Sequence, residues 1–417
     1  MIGAHFIWKH RKTLLILLGQ LVAFLVLLSS SYAQNADGYI YGRVYTYNQV
    51  YQGQLRWGKE ESFWNDFFNA AKYANGSYET IRQTKGEDDF WNNIDWSISS
   101  IWDNQRHQTH EFSTQFGNIA AIIIGTRSQV DLQLKNGTQI KLSGRGYNDI
   151  GTRVTIFDDE LGQVKIEWNR IEKIEFLPTP KNFEPEGGRP IYGTVETFRR
   201  GTYTGYIQWD HDERLGRDVL DGDSRDGDMS IPFSKIKSIE KDGNGSYVTM
   251  KSGRSMFLRG SNDVNNDNDG IIVTVPGIGK IDIPWRVFEK ITFEEVNGSG
   301  PGYDDFKAPK GLIGSVYTYN KDEFKGRIIY DLDEASEVET LEAKDDEIEY
   351  IIPFGNIKQI TPKNSDYCDI KLKNGDRLLL GDRRDVSSRN DGVLVFEKNK
   401  KDPIYIKWRD IVEIIFD

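Results

Sequence analysis

Asp263, Asn265, Asp267 and Asp269 place hard oxygen donors at alternate positions ahead of Gly270. That spacing suits Ca²⁺, which is held by carboxylate and amide oxygens in loops of this kind. The match to an EF-hand loop is partial. With Asn265 at position one, position twelve is Pro276, where a bidentate Glu is needed, and no helix is predicted on either side. A solvated Asn-Asp-Gly hairpin accounts for the same residues. Calcium is thus a candidate cofactor, and no other cofactor is implied.

Acidic pairs recur elsewhere, as Glu60/Glu61, Asp212/Glu213 and Asp333/Glu334, and Asp218, Asp221, Asp223, Asp226 and Asp228 crowd one stretch. Paired carboxylates such as Asp210 and Asp212 are the raw material of a glycosidase. Repetition of such pairs in every unit argues instead for a shared structural or ionic role. The remaining catalytic inventory is poor. His107 and His110 would share a helix face but have no third ligand. Gly144 and Gly146 lack the following helix of a phosphate-binding loop, and Cys368 opens an apolar strand.

Flat aromatic side chains offer a second kind of chemistry. Between Glu60 and Phe112, Phe63, Trp64, Phe67, Phe68 and Ala71 recur at helical spacing, as do Phe90, Trp91, Ile94, Ile98, Ile101 and Trp102. Two amphipathic helices are the economical expectation. Trp96 falls on the opposite side of the second helix from its apolar stripe. Trp64, Trp91, Trp96 and Trp102 are therefore candidate binding residues for a sugar ring or a partner protein. Sealing the end of a repeat array is the competing role.

The elements that must position these groups repeat. Phe116, Trp168, Phe233, Trp285, Phe354 and Trp408 are each followed by aliphatic or aromatic residues three and six positions later. Within pairs the anchors lie 52, 52 and 54 residues apart, and between pairs 65 and 69. Three two-part repeats follow, spanning residues 34–178, 189–294 and 310–417, joined by Pro- and Gly-rich linkers over 179–188 and 295–309. Each opens alike, as YIYGRVYT, PIYGTVET and GLIGSVYT, and alternating apolar and polar residues predict antiparallel strands throughout. The anchor spacing predicts one short helical turn before each half's last strand. This grammar resembles SH3-like or Sm-like β-barrels. The expected fold is all-β, a tandem array of small antiparallel barrels with a helical insertion over 60–112. A β-propeller and paired sandwiches are the rival architectures.

Basic residues Lys9, Arg11 and Lys12 precede an apolar run from Leu14 to Leu28, and Ser31, Tyr32 and Ala33 follow, so residues 1–33 are expected to be a secretory signal peptide. Its removal lowers the formal charge from −11 to −14, which opposes nucleic-acid binding. The apolar run is shorter than the roughly 20 residues that span a bilayer, so no stable membrane span is expected after cleavage. Cys368 is the single cysteine, so no intramolecular disulfide forms. The expectation is a secreted, periplasmic or cell-envelope repeat protein without catalytic activity, a scaffold or binding module for an envelope protein or glycan. The alternative is a calcium-supported, glycan-active hydrolase using loop carboxylates.

Overall fold

The computed structural model describes residues 36–73, 109–181, 183–398, 400 and 402–417. They belong to one compact unit, Ala36–Asp417, built from antiparallel strands. Among the described residues the helical elements are 3₁₀ turns of three residues, and no helix is long and apolar enough to cross a membrane.

The main strand circuit is the same in every repeat. In the second, Tyr192–Thr197 lies between Gly201–Trp209 and Phe288–Phe293. Gly201–Trp209 continues to Ile271–Val275 and Gly279–Ile283. On the other side Phe288–Phe293 continues to Ile236–Asp242, Gly245–Met250 and Ser255–Leu258. The last strand of each repeat thus bridges its first strand and its middle strands, so the two sequence halves share strands of one sheet. Repeats two and three are joined directly, Gly279–Ile283 pairing with Ile348–Pro353.

Close approach of backbones explains the glycine in each second strand. A Cβ on Gly53 would lie 1.9 Å from the Phe157 carbonyl oxygen, and one on Gly205 2.3 Å from that of Thr274. Only a residue without a side chain lets those strands pass.

Five of the six aromatic anchors open 3₁₀ turns, at Phe116–Asn118, Trp168–Arg170, Phe233–Lys235, Phe354–Asn356 and Trp408–Asp410. Trp285 opens a turn closed by the Val287 and Phe288 amides on the Pro284 carbonyl. All six are buried, at 6 % exposure or less. Each pair grips a third aromatic between its members. Trp57 lies 5.3 Å from Phe116 and 5.8 Å from Trp168, Trp209 lies 6.2 Å from Phe233 and 5.8 Å from Trp285, and Tyr330 lies 5.2 Å from Phe354 and 5.8 Å from Trp408.

The expected first helix of the insertion is a strand. Phe67–Tyr73 pairs with Thr109–Gln115 in unbroken register from Phe67↔Gln115 to Tyr73↔Thr109, and Ala71 and Lys72 also pair with Ser143 and Leu142. A short aromatic run fits either period, and sheet neighbours on both sides supply hydrogen bonds that a lone helical turn lacks. Phe68, Ala70 and Phe112 point into the core. The second expected helix, with Phe90, Trp91, Trp96 and Trp102, lies outside the described residues. The linker after repeat two packs back on repeat one. The Tyr303 ring lies 4.6 Å from that of Trp64, and Lys135 Nζ lies 3.3 Å above Tyr303.

Candidate functional site: an acidic triplet at the repeat junctions

Every repeat places three carboxylates around its gripped aromatic. After the second strand, Trp57, Trp209 or Tyr330 closes a tight turn on Glu61, Glu213 or Glu334, its amide donating to that residue's carbonyl at 2.8 Å in each case. The residue before that glutamate is also acidic, giving Glu60/Glu61, Asp212/Glu213 and Asp333/Glu334. The third acid comes from a distant loop pinned by the same aromatic. The Trp57 and Trp209 indole N–H groups donate to the Asp149 and Asp263 carbonyls at 2.9 Å, and the Tyr330 hydroxyl to that of Asp385 at 2.5 Å. Each of those aspartates then accepts from a backbone amide of a middle strand, that of Asn69 at 2.5 Å, Asp221 at 2.6 Å and Glu342 at 2.7 Å.

A fourth acid, five residues beyond each of those glutamates, locks the repeats together. Asp66 Oδ2 accepts from the Ser62 and Phe63 amides, both at 2.8 Å, while Oδ1 accepts from Arg214 of repeat two at 3.0 and 2.7 Å. Asp218 caps Arg214 and Leu215 at 2.9 and 2.8 Å and takes Arg56 of repeat one at 2.8 and 2.9 Å. Glu339 caps Ala335 and Ser336 at 2.7 and 2.9 Å and takes Lys72 of repeat one at 2.5 Å. Sequence reasoning missed these clasps, although the recurring spacing Glu61/Asp66, Glu213/Asp218 and Glu334/Glu339 was there to find.

The triplets differ in how their charge is answered. In repeat three Lys72 Nζ lies 3.3 Å from Asp333 Oδ1 and His110 Nδ1 lies 3.0 Å from Asp333 Oδ2. Burial works against the Asp333 charge, yet Lys72 and His110 hold its pKa below the ordinary value. Lys72 stays protonated despite its own burial because Asp333, Glu339 and Glu334 surround it. In repeat two Lys59 reaches the half-buried Asp212 at 3.5 Å, and burial pushes Glu213 up to about 9. In repeat one burial raises Glu60, raises Glu61 well above the carboxylate range with help from Asp149, and takes Asp149 to about 7.

Two polar cavities open at this junction. One of about 330 Å³ is lined by Glu60, Glu61, Asn69, Asp210, His211 and Lys280 among others. The other, about 530 Å³, is bordered by side chains of all three repeats, including Glu111, Tyr147, Lys280, Asp282, Glu349 and Arg383. Asn69, Asn148 and Lys280 border both. His211 Nε2 lies 3.1 Å from Asp282 Oδ1; burial opposes its charge, but that carboxylate raises its pKa.

The four sequence-predicted calcium ligands divide by burial. Asp263 and Asn265 are buried, whereas Asp267 and Asp269 are exposed. Asp263 braces Asp221, and Asn265 Oδ1 accepts from the Asp267 amide at 2.7 Å. The loop closes on Asn268, whose Oδ1 accepts from the Gly270 amide at 2.9 Å. Asn390 does the same for Gly392 at 2.8 Å in repeat three. Two repeats thus use one self-braced turn. Trp64 is fully buried and donates to Thr179 Oγ1 at 3.1 Å, which leaves it no face for a ligand. Trp91, Trp96 and Trp102 lie outside the described residues. No protein-family model, curated protein or solved structure matches this chain.

Proposed function

We propose that the chain is a non-catalytic scaffold of the cell envelope or secreted space. In this reading a protein or glycan is bound through the segment inserted between Tyr73 and Thr109, which carries Trp91, Trp96 and Trp102. One observation carries it. The equivalent hairpins of repeats two and three close with two residues, 225–226 and 346–347, between Ser224↔Gly227 and Asp345↔Ile348. Repeat one pairs in full register up to Tyr73↔Thr109, so residues 74–108 are not needed to complete it. In this proposal each repeat is a pair of small SH3-like or Sm-like barrels. The strand circuit and the 3₁₀ turns before the closing strands support that finer description.

The recurring acids support a scaffold over a hydrolase. They cap turns, brace middle strands and clamp neighbouring repeats. Glu61 and Asp149 are only 5 % and 2 % exposed, and Asp149 Oδ2 already accepts from Asn69 twice, which leaves a glycan chain no approach to that pair.

Replacing residues 74–108 by Asn-Gly, a two-residue hairpin turn, tests the proposal. The shortened chain is expected to keep its thermal midpoint and to lose co-sedimentation with insoluble cell-wall glycan, or crosslinking to envelope proteins from a photoreactive residue at position 96. Unfolding of the shortened chain, or unchanged capture, would sink it. Release of reducing ends from the same glycan would favour the hydrolase.

A further inference from the structure

Among the described residues no cation makes ion-pair contact with the triplet of repeat one, which Lys280 reaches only at longer range, whereas its counterpart in repeat three receives Lys72 directly. Asp333, Glu334 and Asp385 stand where Glu60, Glu61 and Asp149 stand, and Lys72 and His110 enter that group from repeat one. Among the described residues, no Lys, Arg or His forms an ion pair with Glu60, Glu61 or Asp149. One carboxylate oxygen from each of these three falls within 4.8 Å of the others. Glu61 is 5 % exposed, its Oε2 has no hydrogen-bond partner, and the residue lines the 330 Å³ cavity. A buried, unpartnered carboxylate oxygen beside two more carboxylates is costly unless something positive joins them.

We propose that Glu60, Glu61 and Asp149 bind a hard divalent cation, Ca²⁺ in preference to Mg²⁺, where repeat one meets repeat two. The ligand set is organised before the ion arrives. Trp57 fixes the Glu60–Glu61 turn through its backbone and the Asp149 loop through its indole N–H. Asp149 Oδ2 is occupied by Asn69, which leaves Oδ1 as the ligand atom. Three carboxylates with no His or Cys among them select a hard ion over zinc or copper. Ligands from one turn and one distant loop make an irregular cage, which suits the variable six- to eight-fold shell of Ca²⁺ and not the strict octahedron of Mg²⁺. The cavity supplies room for the waters that complete the shell.

The test is calorimetric titration of CaCl₂ into the full chain after chelation, alongside thermal unfolding with and without the ion. One ion per chain and a raised midpoint are expected, with Mg²⁺ a poor substitute. Glu61→Gln should abolish both responses while its far-ultraviolet spectrum stays that of the parent. Asp267→Asn, in the loop with alternating donors, and Glu213→Gln, in the second triplet, should leave both intact. Absence of heat and of a midpoint shift at millimolar calcium overturns the site, as does calcium binding that survives Glu61→Gln or disappears in Asp267→Asn. The chain shortened at residues 74–108 should bind the ion as the parent does, so this site stands or falls separately from the scaffold reading.

Discussion

Lys72 shows how one side chain can hold two distant repeats together. Its side chain is 2 % exposed, on a strand of repeat one, and it meets Glu339 at 2.5 Å and Asp333 at 3.3 Å in repeat three. Removing the cation from such a group leaves buried carboxylates uncompensated, which typically costs about 3–5 kcal/mol. Lys72→Met is therefore expected to lower the unfolding free energy read from urea denaturation by an amount of that order. Adding Glu339→Gln should recover part of the loss, and a double-mutant cycle measures the coupling. None of this was legible beforehand, because the segment reads as a helix and the acids that Lys72 meets come from repeat three. The acidic pairs were legible as recurrent, and their recurrence pointed to a shared structural or ionic role. Their partners were not, since those come from other repeats.

At the scale of the element, the signals that survived were those with a fixed local geometry. Phe or Trp followed by apolar residues three and six positions later gave a buried turn at all six places. Asn136-Gly137, Ser252-Gly253 and Asn374-Gly375 occupy turns between paired strands, where the backbone demands are local. Phe67–Tyr73 failed because seven residues rich in aromatics fit both a helix and a strand, and the deciding hydrogen bonds run to residues 109–115 and 139–143. Strand-centre glycines separate the two kinds of evidence. Gly53→Ala would drive a Cβ to 1.9 Å from a carbonyl oxygen, and overpacking of that kind costs roughly 2–3 kcal/mol. Gly125→Ala meets nothing closer than 3.4 Å and should change stability by less than about 0.5 kcal/mol. Chemical denaturation of the two variants side by side reads the contrast. Equal losses would mean that the close approach of strands at Gly53 does not set the cost of a side chain there.

For the whole molecule, the balance of its acids sets the sign of its response to pH. Burial is the largest cause raising Asp149 to about 7, Asp210 and Asp385 to about 6, and Glu213 to about 9. A carboxyl whose folded pKa stands above its unfolded value keeps its proton longer in the native state. Its contribution to stability is present below the unfolded value, 3.8 for Asp and 4.5 for Glu, and is lost as pH rises through the folded value. The carboxyls held low, such as Asp369 beside Arg377 and Glu295 beside Lys251, act in the opposite sense but only below about pH 4. In chelator the thermal midpoint is therefore expected to be higher near about pH 5 than near about pH 8, the reverse of ordinary acid lability. Asp149→Asn should flatten the lower part of that fall and Glu213→Gln the upper part. Calcium should raise the midpoint more at the alkaline end, because it replaces the missing protons at Glu60, Glu61 and Asp149. A midpoint that climbs steadily from about pH 5 to about pH 8 without metal would show that these acids are ionised in the folded chain and answered by its own cations.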